Sequence, residues 1–214
     1  MATQLSLYNG ALRIVKERKL ASLAEDRQSR RLLDDAWDDG QTGGAVKYCL
    51  ERGQWTFARR ALMIDYAPSV EPSFGYRYGF DHPSDMVKVC AICSDEYMAT
   101  PVLQYVDEGD YWYCDLQRIY VSYVSNGLKY GLNMGRWPET FVNLVESQLA
   151  REIAPSLTAS DSAIKMADYA FQKAIKEASS SDAMRQPTRF APEGSWNGAR
   201  RGGGVANRAM WNAN

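Results

Sequence analysis

Apolar side chains recur at three- and four-residue intervals at both ends of this chain and at alternate positions in its middle. Leu5, Tyr8, Ala11, Leu12 and Val15 lie on one stripe of an amphipathic helix, and the charged stretch Lys16 to Lys19 complements its C-terminus. Ser22 and Glu25 have the spacing of a capping box, which predicts a second helix with Leu32, Leu33, Ala36 and Trp37 on its apolar face and Gly40 as its stop. Gly43 and Gly44 break the chain, and a short third helix is expected from about Ala45 to Arg52, ended by Gly53.

From Ala61 the period shortens. Tyr76, Tyr78 and Phe80 alternate with Arg77 and Gly79, and Met86 to Ile92 is an apolar run rich in β-branched residues after a turn at Pro83. Val102 to Val106 and Tyr111 to Cys114 flank Asp107-Glu108-Gly109-Asp110, which reads as a hairpin, and Ile119, Val121 and Tyr123 share one face of a further strand. Four or five antiparallel strands are expected.

Helical spacing returns at Trp137-Pro138, where proline suits a first turn, and Phe141, Leu144, Val145, Leu149 and Ile153 line one face as far as Pro155. Ser160 caps a last helix whose stripe of Ile164, Ala167, Phe171, Ala174, Ile175 and Ala178 permits close packing, with Ser179 to Ser181 at its end. The pattern predicts an α+β fold: a helical bundle built by both chain ends, an inserted antiparallel β region, and an extended C-terminal arm. The expected divisions are 1–60 for the first helices, 61–135 for the β insertion, 136–186 for the last helices and 187–214 for the arm.

The arm shows neither helical nor strand period, yet Phe190, Trp196 and Trp211 stand among glycines and arginines. So few large apolar groups return less than the backbone entropy that ordering removes, so the arm is expected to order only on a partner. Arg189, Arg200, Arg201 and Arg208 face a single glutamate, Glu193, an excess of three positive charges in a chain of net charge -1. The remainder therefore carries about -4, which disfavours a body that binds duplex nucleic acid through its phosphates.

No run of about 18 apolar residues is present, and Met1 to Tyr8 lacks the regions of a signal peptide, so a soluble protein, cytosolic when made and with no membrane partner, is expected. At 214 residues the chain needs no disulfide staples, and Cys49, Cys90, Cys93 and Cys114 read as reduced, buried thiols. Cys90 and Cys93 form a C-x-x-C, but in strand period they point to opposite faces, and no second pair completes a zinc site. The single histidine, His82, lies in Asp81-His82-Pro83-Ser84-Asp85, a turn-forming context rather than a catalytic one. Asp34-Asp35 and Asp38-Asp39 bracket Trp37 as a solvated or subunit-facing acidic face. No phosphate loop, dinucleotide fingerprint or nucleophile elbow occurs, so no enzyme, cofactor, catalytic residue or metal site is expected. Gly198-Ala199-Arg200-Arg201-Gly202-Gly203-Gly204 leaves one rival open, a nucleic-acid-binding adaptor whose basic arm stacks Trp196 and Trp211 on bases.

Several stretches in order resemble the head-to-tail adaptor (connector) family of tailed bacteriophages, of which tail tubular protein A is the best-known type. They are Leu7-Tyr8-Asn9-Gly10-Ala11-Leu12, Leu32-Leu33 through Trp37-Asp38 to Cys49-Leu50, and Gln54-Trp55-Thr56-Phe57-Ala58-Arg59-Arg60. Tyr76 to Phe80, Pro83 to Val89, Ile119 to Val124, Trp137 to Phe141 and Leu149 to Ala154 continue the likeness, which covers roughly Leu5 to Ala178. The glycine-rich ending departs from it. The resemblance implies a structural virion protein at the head-tail junction, a homo-oligomeric ring expected as a dodecamer between portal and tail nozzle that extends the DNA channel and contacts viral DNA without reading its sequence. It implies that nozzle or fibre proteins meet the β region, and that the portal protein takes the arm through Arg189, Phe190, Trp196, Arg200, Arg201, Arg208 and Trp211.

Overall fold

The computed structural model describes residues 2–38, 44–72, 74–158 and 160–185. Five α-helices and six strands are arranged as an α+β fold: α1 (Gln4–Ile14), α2 (Gln28–Trp37), α3 (Gly44–Glu51), β1 (Arg59–Asp65), β2 (Tyr78–Asp81), β3 (Met86–Cys93), β4 (Val106–Glu108), β5 (Tyr111–Cys114), β6 (Arg118–Ser125), α4 (Glu139–Leu157) and α5 (Asp161–Arg185).

α4 is the axis of the bundle and touches the other four helices. Burial therefore extends round it beyond one apolar stripe, taking in Glu146, Ser147 and Gln148 along with Phe141, Leu144, Val145, Leu149 and Ile153. α1 lies close against it because Gly10 has no side chain: a Cβ there would stand 2.0 Å from the Glu146 carboxyl carbon. Burial pushes the Glu146 carboxyl pKa up, with Arg13 opposing and Glu139 adding to the rise.

The chain enters the β region through an aromatic plug. Trp55 caps a single 3-10 turn (Thr56–Ala58) that contains Phe57, and both rings meet Phe141 edge-on, with centroids at 5.1 and 4.8 Å; Trp137 meets it from α4's entrance at 5.1 Å. Two anchors hold the junction: Trp55 Nε1 donates to the Cys49 carbonyl at 2.9 Å, and the buried Asp182 carboxylate accepts from the Thr56 N–H at 3.0 Å and its hydroxyl at 2.6 Å.

Two three-stranded antiparallel sheets follow, ordered β1-β6-β3 and β2-β5-β4. The first is a middle layer. Val124, Val87 and Cys90 pack against the bundle core, while Ile119, Val121, Tyr123, Val89 and Ile92 join Phe80, Trp112 and Cys114 of the second sheet in a smaller core. The one-face alternation of Ile119, Val121 and Tyr123 read from the sequence is therefore the observed division between cores.

Several local expectations are overturned. Ser22 and Glu25 do not cap α2, which begins six residues after Ser22 with Arg27 in the N-cap position; instead the Glu25 carboxylate accepts the Ala21 N–H at 2.8 Å. The competing contact is tertiary: Asn9 grips both the N–H and carbonyl of Leu20, at 2.8 and 3.1 Å, and holds this link extended on α1. The capping box lies instead at Thr3 and Ser6, at the head of α1. α4 runs through Pro155 to Leu157, the missing Pro155 N–H costing it one bond in its last turn, and α5 runs through Ser179 to Ser181 because Asp182 has its partner at Thr56. Asp107 and Glu108 belong to β4, leaving Gly109-Asp110 as the two-residue turn, with Gly109 at φ 62°. Among the described residues the strands number six, because β1 had no alternation strong enough to read. Gly40, Gly43, Asp39 and the arm 187–214 lie outside the described residues.

Candidate interaction surfaces

None of the seven arm residues singled out in the sequence falls among the described residues, so their placement is not part of the site geometry. Of the remaining sequence candidates, His82 and Asp34 have structural partners. His82 stacks on Trp112 with ring centroids 4.2 Å apart, and its Nε2 lies 3.4 Å from Asp107 Oδ1, while Trp112 Nε1 donates to the other oxygen of Asp107 at 3.1 Å. This joins β4 and β5 to the turn before β3. Asp34 is half-buried and tied to the fold: it accepts the Tyr8 hydroxyl at 2.9 Å and pairs with Arg30, whereas Asp35 and Asp38 are exposed.

A β-bulge corrects the expected arrangement of the C-x-x-C. Val89 pairs with Tyr123 and Ala91 with Ser122, so Cys90 is the extra residue; Cys93 then pairs with Tyr120, on the bundle side of the sheet that Cys90 also faces. The two thiols share a face instead of opposing one another. All four cysteines are thiols outside any disulfide, and burial pushes the Cys49, Cys90 and Cys114 thiols up, away from the thiolate form a nucleophile requires. Among the described residues, no cluster of three or more histidine, cysteine or carboxylate side chains is placed to hold a metal ion.

The residue that sequence reasoning missed is Asp85. Its carboxylate accepts from Arg60 on β1 at 2.8 Å, Tyr123 at 2.9 Å and Ser125 at 2.6 Å on β6, and its carbonyl accepts the Asn126 N–H at 2.9 Å. Burial alone raises this carboxyl, but the hydrogen bonds from Ser125, Arg60 and Tyr123 outweigh it and hold its pKa below the ordinary carboxylate value. The signal available in the sequence was an aspartate in a turn; its partners stand up to 40 residues away.

What remains for interaction is surface. On α5, Tyr169 is exposed opposite the buried stripe of Ala167, Phe171, Ala174 and Ala178, and Met166 and Met184 are exposed on its flank. The β insertion exposes more: Phe74, Tyr97 and Leu103 are each at least 80% exposed, and Tyr66, Tyr105 and Val106 are also open. The same region is acidic. Residues 66–115 hold nine carboxylates (Glu71, Asp81, Asp85, Asp95, Glu96, Asp107, Glu108, Asp110 and Asp115) against Arg77 and Lys88. Apolar and aromatic side chains among carboxylates suit protein contact and repel a polyanion.

A scan against protein-family models finds no match to this chain, and a search of curated proteins likewise finds none.

Proposed function

We propose that the chain is a structural virion protein, a head-tail adaptor of a tailed bacteriophage that forms a ring between portal and tail nozzle and extends the DNA channel. The helical ends pack between neighbouring subunits, the β insertion faces nozzle or fibre proteins, and the C-terminal arm engages the portal, with Arg200 and Arg201 meeting carboxylates and Phe190, Trp196 and Trp211 filling pockets. Repetition round a ring, expected as twelve copies, supplies avidity, so each arm needs little affinity of its own.

The observation that carries this reading is the surface the fold leaves unfinished: Phe74, Tyr97 and Leu103 on the insertion and Tyr169 and Met184 on α5, all at least 73% exposed, on a body whose cysteines and histidine are occupied with structure. The ordered resemblance of residues 5–178 to adaptor sequences gives that surface its context. Electron microscopy of the purified protein with and without a portal ring tests it. A ring of this protein stacked coaxially on the portal is expected, and removal of everything after Arg185, where α5 ends, should abolish capture while leaving the body folded. A protein that stays monomeric beside intact portal rings, or a truncated chain captured normally, refutes the assignment or the arm's role respectively.

A further inference from the structure

The outer face of the second sheet is partly roofed by its own chain. Pairing sets Gly79 opposite Tyr113 and Tyr113 opposite Val106, so these three form one row across the strands, with Tyr111 and Glu108 in the next. Gly79 makes room for the roof, since a Cβ there would stand 2.7 Å from Val70 Cγ1. Beyond Val70 the chain leaves a cleft of about 230 Å³, with Pro72, Phe74 and Tyr76 on one side and Val106 and Tyr113 on the other. Glu71 and Glu108 also line it, and no described lysine or arginine does.

Two carboxylates beside the exposed Phe74 ring and the half-buried Tyr76 and Tyr113 favour a guanidinium above other cations. Its planar fork donates to both oxygens of a carboxylate, and its face stacks on an aromatic ring, which a compact ammonium does less well. A neighbouring large apolar side chain would cover Phe74, which is 88% exposed. This chain carries such a segment. In 187–214 each arginine is within five residues of an aromatic: Arg189 beside Phe190, Arg200 and Arg201 after Trp196, and Arg208 before Trp211. Four cations against Glu193 there match the excess of carboxylates in 66–115.

Reach is sufficient. α5 is tied to the head of β1 through Asp182 and Thr56, and the seven residues of β1 span about 23 Å towards the second sheet. A chain of 29 residues after Arg185 has a root-mean-square span of roughly 30 Å, so an intramolecular site at this distance sees an effective concentration of order millimolar.

We propose that in the isolated subunit the acidic aromatic cleft takes the chain's own segment 187–214, with an arginine between Glu71 and Glu108 and an adjacent aromatic against Phe74. The segment is then withheld until a partner with better pockets displaces it. The proposal concerns the free protein and does not depend on the adaptor reading.

The test is limited trypsin digestion of the full-length protein at low salt, followed by mass spectrometry of cleavage after Arg189, Arg200, Arg201 and Arg208. The double variant Glu71→Lys/Glu108→Lys is expected to be cut about tenfold faster at these sites, the ratio that corresponds to about 1.4 kcal/mol of lost binding. Phe74→Ala should accelerate cleavage in the same direction, and added salt should bring the wild type towards the double variant. Unchanged near-ultraviolet circular dichroism excludes unfolding as the cause; a variant that loses its spectrum is replaced by Glu71→Gln/Glu108→Gln. Equal rates in wild type and a folded variant overturn the proposal and leave the cleft to a basic segment of another protein. Protection that grows with protein concentration overturns the within-chain form and points to a second copy.

Discussion

The bundle and the β insertion bury their side chains on different scales. The bundle's core joins residues from α1 to α3 with others from α4 and α5, so both chain ends close it; the insertion closes around seven buried residues from four strands. One region carries a surplus of buried aromatic and aliphatic volume, with Trp55, Tyr8 and Phe141 fully enclosed, whereas the other leaves Phe74, Tyr97 and Leu103 in solvent. The lesson is a division of labour. The bundle holds the larger core, and the insertion is joined to it by the first sheet and by the Trp55 and Asp182 anchors at the junction, which leaves its outer surface open for contact.

Substitutions should separate the two regions. The largest effect is expected at Trp55→Ala, which empties the plug against Phe141 and removes the indole hydrogen bond to the Cys49 carbonyl; urea denaturation should show a loss of about 3–5 kcal/mol, and a loss below 1 kcal/mol would mean the bundle does not depend on its junction. Next is Asp85→Ala, which leaves Arg60 and the hydroxyls of Tyr123 and Ser125 without their acceptor and should cost about 2 kcal/mol. Because Asp85 is depressed in the folded protein, its contribution is complete above the ordinary carboxylate value, near 4, and is lost as pH falls through the lower native value. The variant's unfolding free energy should therefore approach that of the wild type in acid, and a constant gap from pH 7 down to pH 2 would contradict the assignment.

A smaller effect, about 1 kcal/mol of destabilisation, is expected for Gly10→Ala. The usual helical gain from alanine is outweighed by the displacement of Glu146, and a rise in melting temperature would show that α1 and α4 can separate freely. Least of all, Phe74→Ser should leave stability within about 0.5 kcal/mol while changing the insertion's binding properties. A large loss there would erase the distinction between the two regions.

The same contrast governs how much could be read in advance. Long periodic stretches were legible: the faces of α1, α4, α5 and β6 follow the expected spacing, because a side chain's face is set by its own local geometry. What failed were endings and polar partners. The Ser22-Glu25 pair was a sound local signal that Asn9 outcompeted from another helix, and the seryl run at Ser179 to Ser181 looked like an end until Asp182 found Thr56, 126 residues away. The bulge at Cys90 reversed the expected disposition of the C-x-x-C because strand register depends on the partner strand. Of the candidate site, the cleft beside Phe74 was not legible, because it required two sequence-distant segments to meet.

By itself the sequence determined the class of fold, the order of helical and strand blocks, and a contrast between a basic ending and an acidic middle, since periodicity, turn chemistry and charge are local properties. The tertiary structure alone decided that Asp85 and Asp182 are internal ties, that the first sheet serves two cores, and that carboxylates line an aromatic cleft. Those outcomes depend on contacts between residues far apart in the chain, where the gain from burial and hydrogen bonding overrides what each neighbourhood prefers alone.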